Sequence, residues 1–364
     1  MNTQAVLPQA SLVSDEEYQE RIRAAKAALG SRLAILGHHY QREEVYRHAD
    51  FSGDSLMLSR QAAASDAEFI VFCGVHFMAE VADILTRPEQ VVILPDLSAG
   101  CSMADMASLA KVERAWRELN EVLGDAEGAV TPVTYINSAA DLKAFCGRHG
   151  GIVCTSSNAA RVLDWAWERR EKVLFFPDQH LGRNTAHRMG VPPEEMVVWD
   201  FDLPYGGLEP ERIRAARLIL WKGFCSVHQM FRPEHIDRFL AQYPDARVIA
   251  HPECSLEVCE RAEFVGSTEY IIRTIAESAP GTRWLVGTEL NLVQRLHERF
   301  RGEGKSVHFM SPTICMCSTM FRIDAKHLCA SLENLVAGRV ENRIVVPPAI
   351  AAEARVALDR MLDL

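Results

Sequence analysis

The chain has 364 residues, 48% of them hydrophobic and 24% charged, and a formal net charge of −10. That length exceeds most single cores and predicts two or three domains. The acidity argues against a clustered basic nucleic-acid face, and no run of ~18 apolar residues exists to form a membrane-spanning helix.

Residues 1–14 are mildly apolar but lack a basic region followed by an apolar core, so no secretory leader is expected. A cytoplasmic location is the expectation, in which the ten cysteines stay reduced. Ser14-Asp15-Glu16-Glu17 opens a helix in capping style, and Gly30 can end it. Strands are then predicted at 33–36, 69–72, 91–94, 133–136, 151–154, 172–176, 247–250, 263–265 and 283–286. These apolar runs are continuous, not alternating, as in parallel strands buried on both faces. Helices are predicted between them, at 55–67, 108–123 and 159–169. Strand–helix alternation predicts α/β domains with parallel sheets.

The strands group into a unit used three times. Residues 1–128 form an N-terminal helix and first α/β domain, and 129–244 a second. The second carries a Pro- and Gly-rich insertion near 184–221 that reads as a surface excursion. Residues 245–325 form a third domain, and 326–364 a helical segment packing back on the first. Cys101, Cys225 and Cys317 each follow the predicted third strand of their unit. A lone cysteine is ordinarily a small buried hydrophobe. Three at one position of a repeat can instead put three thiolates at a common centre. That set suits an iron–sulfur cluster with one iron left open.

Ligands bind beyond the carboxyl ends of parallel strands, so polar residues there are the candidates for chemistry. No glycine-rich dinucleotide fingerprint follows any strand. His38 and Tyr40, two apart at a strand end, can face one pocket and serve as proton-transfer groups. In His251-Pro252-Glu253-Cys254, His251 and Glu253 can share one side. A covered carboxylate there can have a raised pKa. Ser55, Ser156, Ser267 and Thr268 stand where helices begin, as caps or as donors to an anionic ligand. Tyr135 and Asn137 add neutral donors, and His228 lies three residues after Cys225.

The ordered series of motifs resembles quinolinate synthase, the iron–sulfur enzyme of de novo NAD biosynthesis, in its longer form. It comprises Gly37-His38-His39-Tyr40-Gln41, Gly53-Asp54-Ser55-Leu56, Gly74-Val75-His76-Phe77-Met78-Ala79-Glu80 and Pro95-Asp96 through Cys101. Tyr135-Ile136-Asn137-Ser138, Cys154-Thr155-Ser156-Ser157-Asn158-Ala159 and Pro177-Asp178-Gln179-His180-Leu181-Gly182 follow. Cys225-Ser226-Val227-His228-Gln229, His251-Pro252-Glu253-Cys254, Gly266-Ser267-Thr268 and Gly287-Thr288-Glu289 complete it. Glu269 stands where a small or neutral residue is expected.

The resemblance implies three α/β/α domains around a pseudo-threefold axis with the active site at the centre. It implies a transferase that condenses iminoaspartate with dihydroxyacetone phosphate to give quinolinate, phosphate and two waters. It puts a [4Fe-4S] cluster on Cys101, Cys225 and Cys317, with one open iron as Lewis acid. Cys317 is preferred to Cys315 because Cys317-Ser318-Thr319-Met320 matches the family's Cys-x-x-Met. Glu253, His38, Tyr40 and His251 become catalytic. His38, Ser55, Tyr135, Asn137, Ser156, His228, His251, Glu253, Ser267 and Thr268 become substrate-binding. A functional link to an L-aspartate oxidase and a homodimer are further implications, with neither nucleic acid nor membrane as partner. Two alternatives stay open: another [4Fe-4S] hydro-lyase acting on a small polycarboxylate, and a cluster-based sensor. A sensor needs a reader surface such as a basic face, which the sequence does not offer.

Overall fold

The computed structural model describes residues 14–313 and 316–364. Residues 1–13 and Cys315, both read above, lie outside the described residues. Among the described residues, thirteen strands form three parallel sheets flanked by helices. The first sheet holds β1 (Leu33–His38), β2 (Phe51–Gly53), β3 (Phe69–Cys73) and β4 (Val91–Ile93), in the order 2-1-3-4. The second holds β5 (Val130–Tyr135), β6 (Ile152–Cys154), β7 (Lys172–Phe176), β8 (Met196–Trp199) and β9 (Leu218–Trp221), in the order 6-5-7-9-8. The third holds β10 (Arg247–Ala250), β11 (Phe264–Val265), β12 (Arg283–Gly287) and β13 (Ser306–Phe309), in the order 11-10-12-13. Stripped of β8, the three orders are the same. This is the expected α/β class with three similar layered units.

All nine predicted strands form. Their alignment into a repeat needs correction, because each unit has four common strands and not three. β2, β9 and β13 are the ones the repeat omitted. β2 has two exposed residues of three, and β13 is polar and half-buried, so neither presents an apolar run. Cys101, Cys225 and Cys317 therefore follow the fourth strand, β4, β9 and β13 respectively.

The reading of 184–221 as a surface excursion is also corrected. β9 is a common core strand, and β8 extends the sheet beside it. The loop after β8 ties down on the helix Leu109–Leu123 of the first unit. Lys111 Nζ donates to Asp202 Oδ1 at 3.0 Å, and the Tyr205 hydroxyl donates to Glu121 Oε2 at 2.7 Å. The first two units share one continuous apolar core. The third sheet has its own core on each face: Val248, Ala250 and Leu285 point one way, Ile249, Trp284 and Val286 the other. That is the two-residue period of a pleated strand.

The C-terminal segment divides between units, so the first domain alone is not its base. The helix Ala325–Val336 packs on Asp15–Leu29, where Arg21 donates to both Glu333 carboxylate oxygens at 2.8 and 2.7 Å. The final helix, Pro348–Leu362, packs chiefly on Ala140–Arg148 of the second unit. Gly147 permits it, since a Cβ there would meet the Glu353 carbonyl oxygen at 2.0 Å. No described helix is long and apolar enough to cross a membrane.

His48 records how the first helix docks. Its Nε2 lies 2.6 Å from Gln19 Oε1. Burial, then Lys26, Arg23 and Arg47, push its pKa down from 6.5 to about 4. The unfolded chain therefore takes up this proton first. Stability present above pH 6.5 is lost as pH falls towards 4. His48→Gln keeps a partner for Gln19 without the titration. Its urea midpoint should fall less steeply than that of the unaltered chain across this window; parallel curves would contradict the assignment.

Candidate active site

The carboxyl ends of the three sheets line one cavity. The carboxyl end of the first common strand of each unit contributes a pair of residues two apart: His38, the last residue of β1, with Tyr40; Tyr135, the last of β5, with Asn137; and His251 with Glu253 just after β10. All six line the cavity. The helices Ser55–Ala64, Ala159–Trp167 and Thr268–Glu277 follow β2, β6 and β11. Their amino-terminal segments bring Ser55, Ser156 and Thr268 to the same wall. Ser267 is not brought there: its Oγ caps the helix by accepting from Tyr270 N at 3.3 Å. Asn137 Oδ1 and Thr268 Oγ1 are buried and have no protein partner, so both can bond a ligand.

Glu253 is the most deeply tied of these groups. Tyr135 OH donates to its Oε1 at 2.7 Å, and His228 Nδ1 stands 2.9 Å from its Oε2. His228 stacks on His251 with ring centres 4.6 Å apart. Burial opposes charge on Glu253, but the adjoining His228 and the Tyr135 hydroxyl outweigh it and hold the carboxyl well below the usual range. The expected rise is thus reversed, because the pocket is apolar only in part.

The imidazoles of His38 and His251 are neutral. Burial lowers His38 well below its ordinary value and His251 to about 3. Nδ1 of His38 accepts from Tyr40 N at 3.1 Å, and Nδ1 of His251 from Glu253 N at 3.3 Å. In both neutral rings the proton then sits on Nε2, which becomes a donor. Burial and the nearby Glu253 charge raise Tyr40 and Tyr135 well above 10, so both phenols keep their protons.

The three cysteines share a local turn. A 3-10 helix begins three residues after each: Ala104–Met106, His228–Met230 and Met320–Arg322. In each turn the N–H four residues on donates to the cysteine carbonyl: Asp105 to Cys101 at 3.0 Å, Gln229 to Cys225 at 3.1 Å, Phe321 to Cys317 at 3.0 Å. All three sulfurs line the cavity. Burial pushes Cys101 up to about 12, Cys225 well above 9 and Cys317 upward, and their mutual proximity adds to the first two. Backbone N–H groups of Met103 and Ala104, of His228, and of Thr319 and Met320 act the other way and favour the thiolates. Trp221 Nε1 donates to Met106 O at 3.0 Å, and so ties the Cys101 turn to the end of β9.

Some site residues were named in the sequence motifs but given no role. Thr288 Oγ1 lies 2.8 Å from Tyr40 OH and 3.4 Å from His228 Nε2, bridging the first and second units. Glu289 is fully buried and lines the cavity. Its Oε2 accepts from Asn291 N at 2.7 Å, and Oε1 accepts from Cys317 N at 3.4 Å. Burial pushes its carboxyl up to about 7. Both residues directly follow β12, so the strand-end rule that found the others could have found them. Asp54 accepts from Ser157 Oγ at 2.7 Å across the seam between the first two units. The unexpected Glu269 seals another seam, with Oε1 2.6 Å from His39 Nε2.

Comparison with known proteins shows the family. The family model described as "Quinolinate synthetase A protein" matches residues 20–363. A quinolinate synthase of Herpetosiphon aurantiacus is 56% identical over 97% of this chain and 94% of its own. One from Acidobacterium capsulatum is 56% identical, covering 96% and 94%. One from Corynebacterium glutamicum is 52% identical, covering 99% and 91%. The chain belongs to the quinolinate synthase family.

Proposed function

We propose that the chain is a transferase that condenses iminoaspartate with dihydroxyacetone phosphate, giving quinolinate, phosphate and two waters. The observation that carries this reading is the turn shared by Cys101, Cys225 and Cys317, which turns three sulfurs from three units into one cavity. Buried thiols that raise one another's pKa are relieved by a soft cation, which displaces their protons. The residues present therefore fit a [4Fe-4S] cluster held by three cysteines. Such a cluster, when bound, supplies Lewis acidity at its one uncommitted iron.

The remaining chemistry is assigned to the chain's own groups. An ionised Glu253 can take a proton but cannot begin by giving one, so it serves as base. Tyr40 and the Nε2–H groups of His38 and His251 are donors for departing or developing oxygens. Tyr135 holds Glu253 in place. Asn137, Ser55, Ser156 and Thr268 supply neutral hydrogen bonds to carboxylates, and His228 contacts the phosphate-bearing substrate. Ser267 supports the neighbouring helix start as its cap. Supply of iminoaspartate implies an L-aspartate oxidase acting upstream. A homodimer and a cytoplasmic location belong to the same reading. No observation favours the hydro-lyase or sensor alternative.

Two experiments test the assignment. Cys101→Ala, Cys225→Ala and Cys317→Ala should each lose the brown chromophore on anaerobic reconstitution, while Cys315→Ala keeps it. Retention by Cys317→Ala with loss by Cys315→Ala would transfer the third ligand to Cys315. Glu253→Gln should retain cluster and substrate binding yet lose about 10²–10⁴ in turnover. Near-normal quinolinate formation by that variant would remove Glu253 from the mechanism, and loss of the cluster would make its role structural.

A further inference from the structure

One part of the cavity wall holds a donor set that needs no sulfide. Cys225 Sγ, a ring nitrogen of His228 and a carboxylate oxygen of Glu253 lie within 4.8 Å of one another. Cys225 and His228 sit on one turn of the second unit, and Glu253 comes from beyond β10 in the third. The His228 side chain is 1% exposed, and its Nδ1 stands 2.9 Å from Glu253 Oε2. Yet that nitrogen makes no well-aligned hydrogen bond. The other edges of the set are engaged. His228 Nε2 faces Thr288 Oγ1 at 3.4 Å, Glu253 Oε1 accepts from Tyr135 OH at 2.7 Å, and the Glu253 carbonyl accepts from Gln229 Nε2 at 2.9 Å. Contacts of this kind orient a ligating imidazole and carboxylate.

We infer that the chain, when its cysteines hold no cluster, binds one borderline divalent cation through Cys225 Sγ, His228 Nδ1 and Glu253 Oε2. Zinc fits best. Thiolate, imidazole and carboxylate are its three ligand types, and three protein ligands leave the fourth tetrahedral position to water or a small anion. Magnesium and calcium want oxygen donors and fit poorly. Bonds of roughly 2.0–2.3 Å put tetrahedral donors roughly 3.3–3.8 Å apart. The Nδ1–Oε2 pair at 2.9 Å therefore opens slightly and any wider pair within the 4.8 Å set draws closer, both within reach of side-chain rotation. Cys225 also belongs to the proposed cluster, so the two occupancies exclude each other. Zinc then opposes cluster insertion and leaves the completed enzyme alone.

The test uses the full-length chain stripped of iron by a chelator under anaerobic conditions and titrated with cobalt(II). One equivalent should produce a thiolate-to-cobalt charge-transfer band and tetrahedral d–d bands, and zinc should displace it. Cys225→Ser should abolish the charge-transfer band. His228→Gln and Glu253→Gln should weaken cobalt binding by more than about 100-fold. Cys101→Ser and Cys317→Ser should leave band and affinity unchanged, with circular dichroism confirming that every variant is folded. No charge-transfer band in the unaltered chain would remove the site. Its loss in Cys101→Ser or Cys317→Ser would assign the metal to the three cysteines instead. For exclusion, the zinc-loaded chain given iron and sulfide should grow cluster absorption only after a zinc chelator is added; growth at the zinc-free rate would overturn it. This last arm rests on the cluster reading. If the zinc-free chain also builds no cluster, that reading fails, while the cobalt result stands.

Discussion

A carboxylate sealed where the units meet organises the centre of this protein. Glu253 is ionised and almost fully buried, a condition that costs several kcal/mol unless the charge is answered. Tyr135 and His228 answer it from the second unit. Removing either of them leaves a buried charge short of partners. The same contacts bring the ends of β5 and β10 and the Cys225 turn to within bonding distance of one another. Burial thus works twice, since it makes the pairing obligatory and strengthens each hydrogen bond in the pair.

Threefold repetition supplies the geometry. A parallel strand order repeated in three sheets delivers three strand ends, three helix starts and three cysteine turns to one cavity. Each class of position then diverges in chemistry. The strand-end pairs are His-x-Tyr, Tyr-x-Asn and His-x-Glu, so one scaffold yields neutral donors on two sides and a carboxylate on the third. The cysteine turns do not diverge, which is consistent with the shared metal centre proposed for them.

Much of this was legible in the sequence because it follows from rules that act locally. Buried parallel strands write continuous apolar runs, and all nine such runs are strands. Polar residues at their ends name most of the cavity. What escaped was written weakly. β2 and β13 are short, partly exposed edge strands, so each of those two units was read one strand short and its cysteine was placed after a third strand instead of a fourth. β9 is apolar but lay beyond a Pro- and Gly-rich stretch and was absorbed into it. Ser267 and Ser156 look alike as residues at helix starts, and only the coordinates separate the cap from the cavity wall. The inversion of the Glu253 pKa needed knowledge of Tyr135 and His228, which come from another unit, and no local pattern carries that.

The central claim is that three cysteines from three units hold the metal centre on which quinolinate formation depends. Anaerobically purified chain, reconstituted to graded iron and sulfide contents, should form quinolinate from iminoaspartate and dihydroxyacetone phosphate in proportion to its content of [4Fe-4S] cluster. Undiminished quinolinate formation by the iron-free chain would contradict the account.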